Sequence, residues 1–150
     1  MNALLNAIVA KLQADGAAST YMGSVTVNGQ TIKGPFLDAA PAGTFANGPY
    51  CVYHLLPAGK NTYAMAKPYI EPVLVQLSLW DTNSETVGAN IEYVEKLFNG
   101  QNLTLTGDTF LVALSVHAPM KKKALQMGPK TQDWYHAWVD IRFDSQRTLS

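Results

Sequence analysis

Near the start of the chain, apolar residues recur at helical spacing. Leu4, Leu5, Ile8 and Leu12 share one stripe, so residues 2–14 predict an amphipathic helix. Asp15-Gly16 ends that pattern, with glycine as the expected C-cap. The period then changes. Val25 and Val27 alternate with polar residues, Asn28-Gly29 is a strong two-residue hairpin signal, and Thr31–Lys33 supplies the return strand. A segment rich in Pro, Gly and Ala, residues 35–49, predicts a loop. It leads into an apolar strand, Tyr50–Leu56, which Pro57 stops. Residues 58–69 read as a long connection or projecting arm, because loops beyond about 12 residues within a compact domain usually carry function or lack order.

The clearest strand pattern follows. From Pro72 to Trp80, Val73, Val75, Leu77 and Leu79 lie on one face, with Leu74, Gln76, Ser78 and Trp80 on the other. The turn Asp81-Thr82-Asn83-Ser84 offers several N-caps, and Glu85 suits the positive end of the helix that follows. Val87, Ile91, Val94, Leu97 and Phe98 mark that helix, and Asn99-Gly100 closes it. Alternation returns over Thr109–His117. Residues 118–133 read as a second long loop containing Lys121-Lys122-Lys123. The last strand, Trp134–Phe143, sets Tyr135, Ala137, Val139, Ile141 and Phe143 against Trp134, His136, Trp138, Asp140 and Arg142. The polar tail, residues 145–150, is expected to fray. These elements predict a single α+β domain, with a mainly antiparallel sheet of about four to six strands and two helices packed on one face.

Composition narrows the function classes. Eleven basic and eleven acidic residues give zero formal net charge, and only 15% of the 150 residues are charged, against roughly a quarter in typical chains. A nucleic-acid binder usually carries a basic excess, which is missing, while low charge favours self-association. No apolar run approaches the ~18 residues of a membrane span, and the amino-terminal segment lacks a signal-peptide pattern, so a soluble protein made in a cytoplasm, without membrane partners, is expected. One cysteine, Cys51, allows no internal disulfide and reads as a buried hydrophobe. As a thiol nucleophile it would need a base, and His54 points to the opposite face of the same strand.

The sequence gives little support for chemistry. It has no phosphate-binding glycine motif and no nucleophile elbow. His54, His117 and His136 all fall in predicted strands, without metal-ligand spacing. The acid–base candidates Asp38, Glu71, Asp81, Asp108, Asp133 and Asp140 lie mostly at turns, where local backbone bonding explains them. No catalytic residue, cofactor or metal is therefore expected. The second face of the sheet says more. With both helices on one side, Trp80, Trp134, His136 and Trp138 are left on the other, either open to a partner or covered by the hairpin or a long loop. The Lys121–Lys123 run reads as a solvated loop tip or as a contact for an acidic partner or passing DNA.

Several of these features carry a family resemblance. The chain opens with a helix, and a Pro-rich segment leads into Gly48-Pro49-Tyr50-Cys51-Val52-Tyr53. The strand Val73–Trp80 runs through a polar turn into a helix, and Tyr135–Phe143 closes the sheet. In this order, over residues 48–144, the sequence resembles the tail-completion, or tail terminator, proteins of siphophages with the lambda-type terminator fold. The resemblance implies a virion protein of the tail or neck that forms a ring, commonly a hexamer. Such a ring would end tube polymerisation and join the tail to the head, with the tail tube protein and a head-completion protein as partners. A head-side neck protein is the alternative, and a small-ligand-binding domain is a further one. The resemblance implies no catalytic residues. The long loops, including Tyr63 and Met65, would then serve as arms engaging neighbouring subunits.

Overall fold

The computed structural model describes residues 2–44, 48–56, 69–103, 110–115, 120–124 and 133–147. Helix α1 (Asn2–Ala14) and a short 3-10 turn (Ala18–Tyr21) precede the hairpin β1 (Ser24–Val27) and β2 (Gln30–Lys33). Then come β3 (Phe36–Leu37), β4 (Tyr50–Leu56), β5 (Tyr69–Asp81), α2 (Ser84–Phe98) and β6 (Asn102–Leu103). Strands β7 (Phe110–Ser115), β8 (Met120–Ala124) and β9 (Trp134–Arg147) complete the order. Among the described residues, β1 and β2 form their own two-stranded sheet. A second, seven-stranded sheet runs β3-β4-β5-β9-β7-β6, with β8 also on β9. All its pairings are antiparallel except β3 with β4. The expected α+β class is the observed one. Among the described residues, no helix is long and apolar enough to cross a membrane.

The backbone of the sheet is the β5–β9 pair, matched residue for residue from Tyr69↔Arg147 to Asp81↔Tyr135. Alternation on these two strands sends Val73, Val75, Leu77 and Leu79, with Ala137, Val139, Ile141 and Phe143, to one face, where all are buried. Both helices cover that face. Leu4, Ile8 and Leu12 of α1 and Val87, Ile91, Val94 and Phe98 of α2 join the strand residues in one core. Phe98 meets Phe143 edge to face, their centroids 5.9 Å apart, and Lys11 Nζ lies 5.7 Å from the Phe98 centroid on the other helix.

Local chemistry sets the ends of these elements. Asn83 is the N-cap of α2, and its side chain accepts from Glu85 N and Thr86 N at 3.0 Å each. Gly100, with φ +71°, follows the helix as expected. Asn28 and Gly29 both have positive φ, as a twisted two-residue hairpin turn requires. The end of α1 differs from expectation, because Gly16 is not left-handed. Instead Asp15 Oδ1 accepts from Ala17 N and Ala18 N and starts the 3-10 turn. Tyr93 on α2 donates to the same carboxylate at 3.0 Å and ties the two helices together. These bonds, led by the one from Ala18 N, hold the Asp15 carboxyl below its ordinary pKa.

Several expectations need correction. The Lys121–Lys123 run is not in a loop: it lies within β8, which pairs with the start of β9 from Met120↔Trp138 to Ala124↔Trp134. Backbone pairing along the long β9 stabilises a strand that no hydrophobic alternation announces. Lysine is at home on such a strand at a sheet edge. Register explains how β7 and β8 share one side of β9. Strand β7 pairs with β9 from Phe110↔Gln146 to Ser115↔Ile141, and β8 pairs with it from Met120↔Trp138 to Ala124↔Trp134. Strand β5 begins at Tyr69 rather than Pro72, and β9 runs through Ser145, Gln146 and Arg147, which were expected to fray. These polar residues pair with both Tyr69–Glu71 and Phe110–Leu111, and backbone bonding is indifferent to side-chain polarity. The arm at residues 57–68, with Tyr63 and Met65, lies outside the described residues. So do His117 and Asp108.

Leu77 sits at the centre of β5 with no exposed surface. Leu77→Ala should therefore lower unfolding free energy by about 2–5 kcal/mol, read from the midpoint of a urea titration. A loss below about 1 kcal/mol would mean that the helices do not seal this face.

Candidate functional site

The second face of the sheet is ordered in cross-strand rows. Tyr50, Trp80 and His136 are register partners across β4, β5 and β9, and Lys122 of β8 occupies the next position. The following row holds Val52, Ser78 and Trp138, and the one after it His54, Gln76 and Asp140. Trp80 stacks on His136 with centroids 4.2 Å apart and planes 7° from parallel. Tyr50 lies parallel to Trp80 at 6.1 Å, and His136 stacks on Trp138 at 4.9 Å. The result is a continuous aromatic row, half-buried at Trp80, His136 and Trp138.

Part of this face is covered. The loop predicted for residues 35–49 lays β3 alongside β4, with Phe36 opposite Val52 and Leu37 opposite Tyr53. Asp38 N donates to Tyr53 O at 3.0 Å, and Cys51 N donates to Met22 O at 3.0 Å, so the outer edge of β4 is bonded along much of its length. Phe36, Tyr50, Val52 and Trp134 form a second small core, with Ala40 and Trp80 against it. Trp134, expected on the open side with the other indoles, is only 5% exposed and packs on Tyr50 at 5.8 Å. The covering loop therefore removes one of the three tryptophans from the surface, and Trp80 packs at its margin.

Between the ring row and the polar row lies a groove of about 270 Å³. Ser78 and Val52 line it between the two rows, Tyr50, Trp80 and His136 form one wall, and Gln76 and His54 the other, with Asp38–Ala40 closing the β4 end. His54 Nδ1 is 3.3 Å from Asp38 Oδ1, and Gln76 Nε2 donates to Asp140 Oδ1 at 2.9 Å. The groove thus combines an aromatic side with a hydrogen-bonding side. Of the acid–base candidates, Asp38 and Asp140 come near it. Asp81 sits at the end of β5, its Oδ1 accepting from Thr82 N, and Asp133 precedes β9. Glu71 belongs to β5 at its opposite end. Among the described residues, no group of three or more His, Cys, Asp or Glu is placed to hold a metal ion.

Cys51 is on the helix-covered face, as its spacing from His54 required, and is fully buried. Burial pushes its thiol up to about 12, away from the thiolate that nucleophilic chemistry needs. Burial likewise raises Tyr21, Tyr50 and Tyr53 above the ordinary phenol value. Sequence reasoning found the aromatic row but missed the groove. Its polar wall depends on Asp38, which reaches His54 only because the loop turns back along β4, with Asp38 in a left-handed conformation at φ +62°.

No protein-family model matches the chain, and no curated protein matches it.

The thiol sets an alkaline limit. In the unfolded chain it ionises near its ordinary value of 9.0, whereas in the fold it keeps its proton to about 12. The folded state holds more protons in that window, so stability is complete below pH 9 and falls as pH rises toward 12. Chemical denaturation across pH 8–11 should show this decline, with a shallower slope in Cys51→Ala, and an unchanged slope would mean that the thiol is not desolvated.

Proposed function

We propose that this protein is a virion assembly subunit. It forms a ring at the head-proximal end of a phage tail tube, where it ends tube polymerisation and joins the tail to the head. The observation that carries this reading is the half-covered aromatic face. Trp80, His136 and Trp138 lie on the sheet side away from both helices, Trp80 against the small core closed by the loop, and all three are only partly buried. Aromatic rings left partly accessible beside polar groups are enriched among the anchors of protein–protein contacts. Zero net charge removes repulsion between copies. The reading draws on the order of an amino-terminal helix, the strand Tyr50–Leu56, the strand ending at Asp81, helix α2 and the closing strand β9. On this reading the partners are other copies of the chain, commonly six in a ring, together with the tube protein and a head-completion protein.

A small-ligand site is the second reading, and the His54–Asp38 pair in the groove favours it. Size argues the other way, because about 270 Å³ falls below the ~300–1,000 Å³ of pockets that enclose drug-sized ligands.

Electron microscopy of particles made without this protein separates the roles. Overlong or unattached tails are expected, whereas leaky heads with normal tails would place the ring on the head side of the neck. Trp138→Ala should reproduce the defect while its thermal midpoint stays within a few degrees of wild type. Normal particles from that variant, or a much lowered midpoint, would count against the aromatic face as the contact surface.

A further inference from the structure

The tip of the β1–β2 hairpin joins an asparagine to a glycine. Asn28 and Gly29 are both exposed, with φ of +50° and +79°. Among the described residues the hairpin pairs only with itself, four residues on each strand, and the pairing ends at Val27↔Gln30, just before the turn. Two strands without further neighbours are at best marginally stable in water, so the tip opens readily. A Cβ added at Gly29 would meet nothing within 4 Å, so no neighbouring segment clamps the turn from outside. Neither Asn28 nor Gly29 makes a hydrogen bond among the described residues.

An asparagine side chain is an electrophile that the main chain itself can reach. When the amide nitrogen of the following residue loses its proton, it can attack the asparagine Cγ. A new N–Cγ bond closes a cyclic imide, and the side-chain nitrogen leaves as ammonia. Water then opens the imide. Cleavage at the former side-chain carbonyl gives aspartate. Cleavage at the main-chain carbonyl gives isoaspartate, in which the backbone runs through the old side chain and gains a methylene. A side chain on the second residue crowds the attack, and glycine has none. The backbone must also rotate to bring nitrogen and Cγ together, which a firmly bonded segment prevents.

We propose that Asn28 is a site of spontaneous deamidation, with water as the only co-reactant, and that the fold leaves it open while protecting comparable steps. Asn99-Gly100 is the same residue pair. There Asn99 N donates to Glu95 O at 2.8 Å and Gln101 N donates to Phe98 O at 3.0 Å, so the backbone is bonded on both sides of the step, beside the buried Phe98. Asn83-Ser84 is held through the side chain, because Asn83 Oδ1 accepts from Glu85 N and Thr86 N. Reaction at Asn28 adds one negative charge to a chain of zero formal net charge. The isoaspartate product also lengthens a two-residue turn by a methylene, which releases the adjacent Val27↔Gln30 pair first.

Peptide mapping of the aged full chain tests this. Trypsin places Asn28 in the peptide of residues 12–33 and Asn99 in that of residues 97–121, so the two steps are read separately. The chain is held in mildly alkaline buffer, either folded or in urea, and each peptide is followed for the mass gain of amide-to-acid exchange and for resolution into aspartate and isoaspartate forms. In urea the two steps should react at similar rates. In the folded chain Asn28 should outpace Asn99 by about tenfold or more. Equal rates in the folded chain, or loss of the Asn28 reaction on folding, would overturn the proposal. Asn28→Ser keeps a small polar residue but has no side-chain amide, so its peptide should show no gain. A gain that persists in this variant would move the reaction to Gln13 or Gln30 and would likewise overturn it.

Discussion

The structure depends on the antiparallel match of β5 with β9. These two strands pair over the full length of β5, from Tyr69 to Asp81, and their shared alternation divides the sheet into two chemically different faces. One face is mainly aliphatic, with Phe143 and Tyr135 as its rings, and it demands cover. The two amphipathic helices meet that demand, each buried leucine, isoleucine or valine contributing on the order of 1.5–3 kcal/mol when withdrawn from water. A one-residue slip of β5 would exchange its faces, placing Trp80 and Gln76 under the helices and Val75 and Leu77 outside. Register is therefore strongly specified, and the position of every residue on the second face follows from it.

That second face is where the chain departs from simple layering. No helix covers it. A loop lies along the edge of β4 and closes a small core around Tyr50 and Trp134, with Trp80 against it. Tyr50 links several elements. It stacks beside Trp80, packs on Trp134 and lines the groove, and Gly23 at the base of the hairpin approaches it so closely that a Cβ there would lie 2.5 Å from Tyr50 Cβ. Glycine is required at that position, both by this contact and by φ +86°. The hairpin, the covering loop and the groove thus meet at one residue of the sheet.

Several parts of this arrangement were legible from residues alone. The spacing of Leu4, Ile8 and Leu12 and of Val87, Ile91, Val94 and Phe98 identified both helices and their buried stripes. Asn28-Gly29 identified the hairpin turn, and Tyr50–Leu56 was bounded correctly by composition and Pro57. The placement of Trp80, His136 and Trp138 opposite the helices also followed from period-two alternation. The misses share one cause. Strand β8, with its three consecutive lysines, is held by backbone hydrogen bonds to the next strand, β9, and the polar end of β9 by bonds to β5 and β7, and those bonds leave no mark in side-chain pattern.

By itself, then, the sequence determined which residues seek the interior and at what period, because burial follows local hydrophobic spacing. It therefore determined the α+β class, the two helices and the division of the sheet into a covered and an aromatic face. Only the tertiary structure decided how the loop of residues 36–44 returns along β4, burying Trp134 and bringing Asp38 to His54. It alone built the groove and left the hairpin's Val27 and Ile32 in solvent. These features arise from contacts between segments distant in sequence, whose geometry no local pattern encodes.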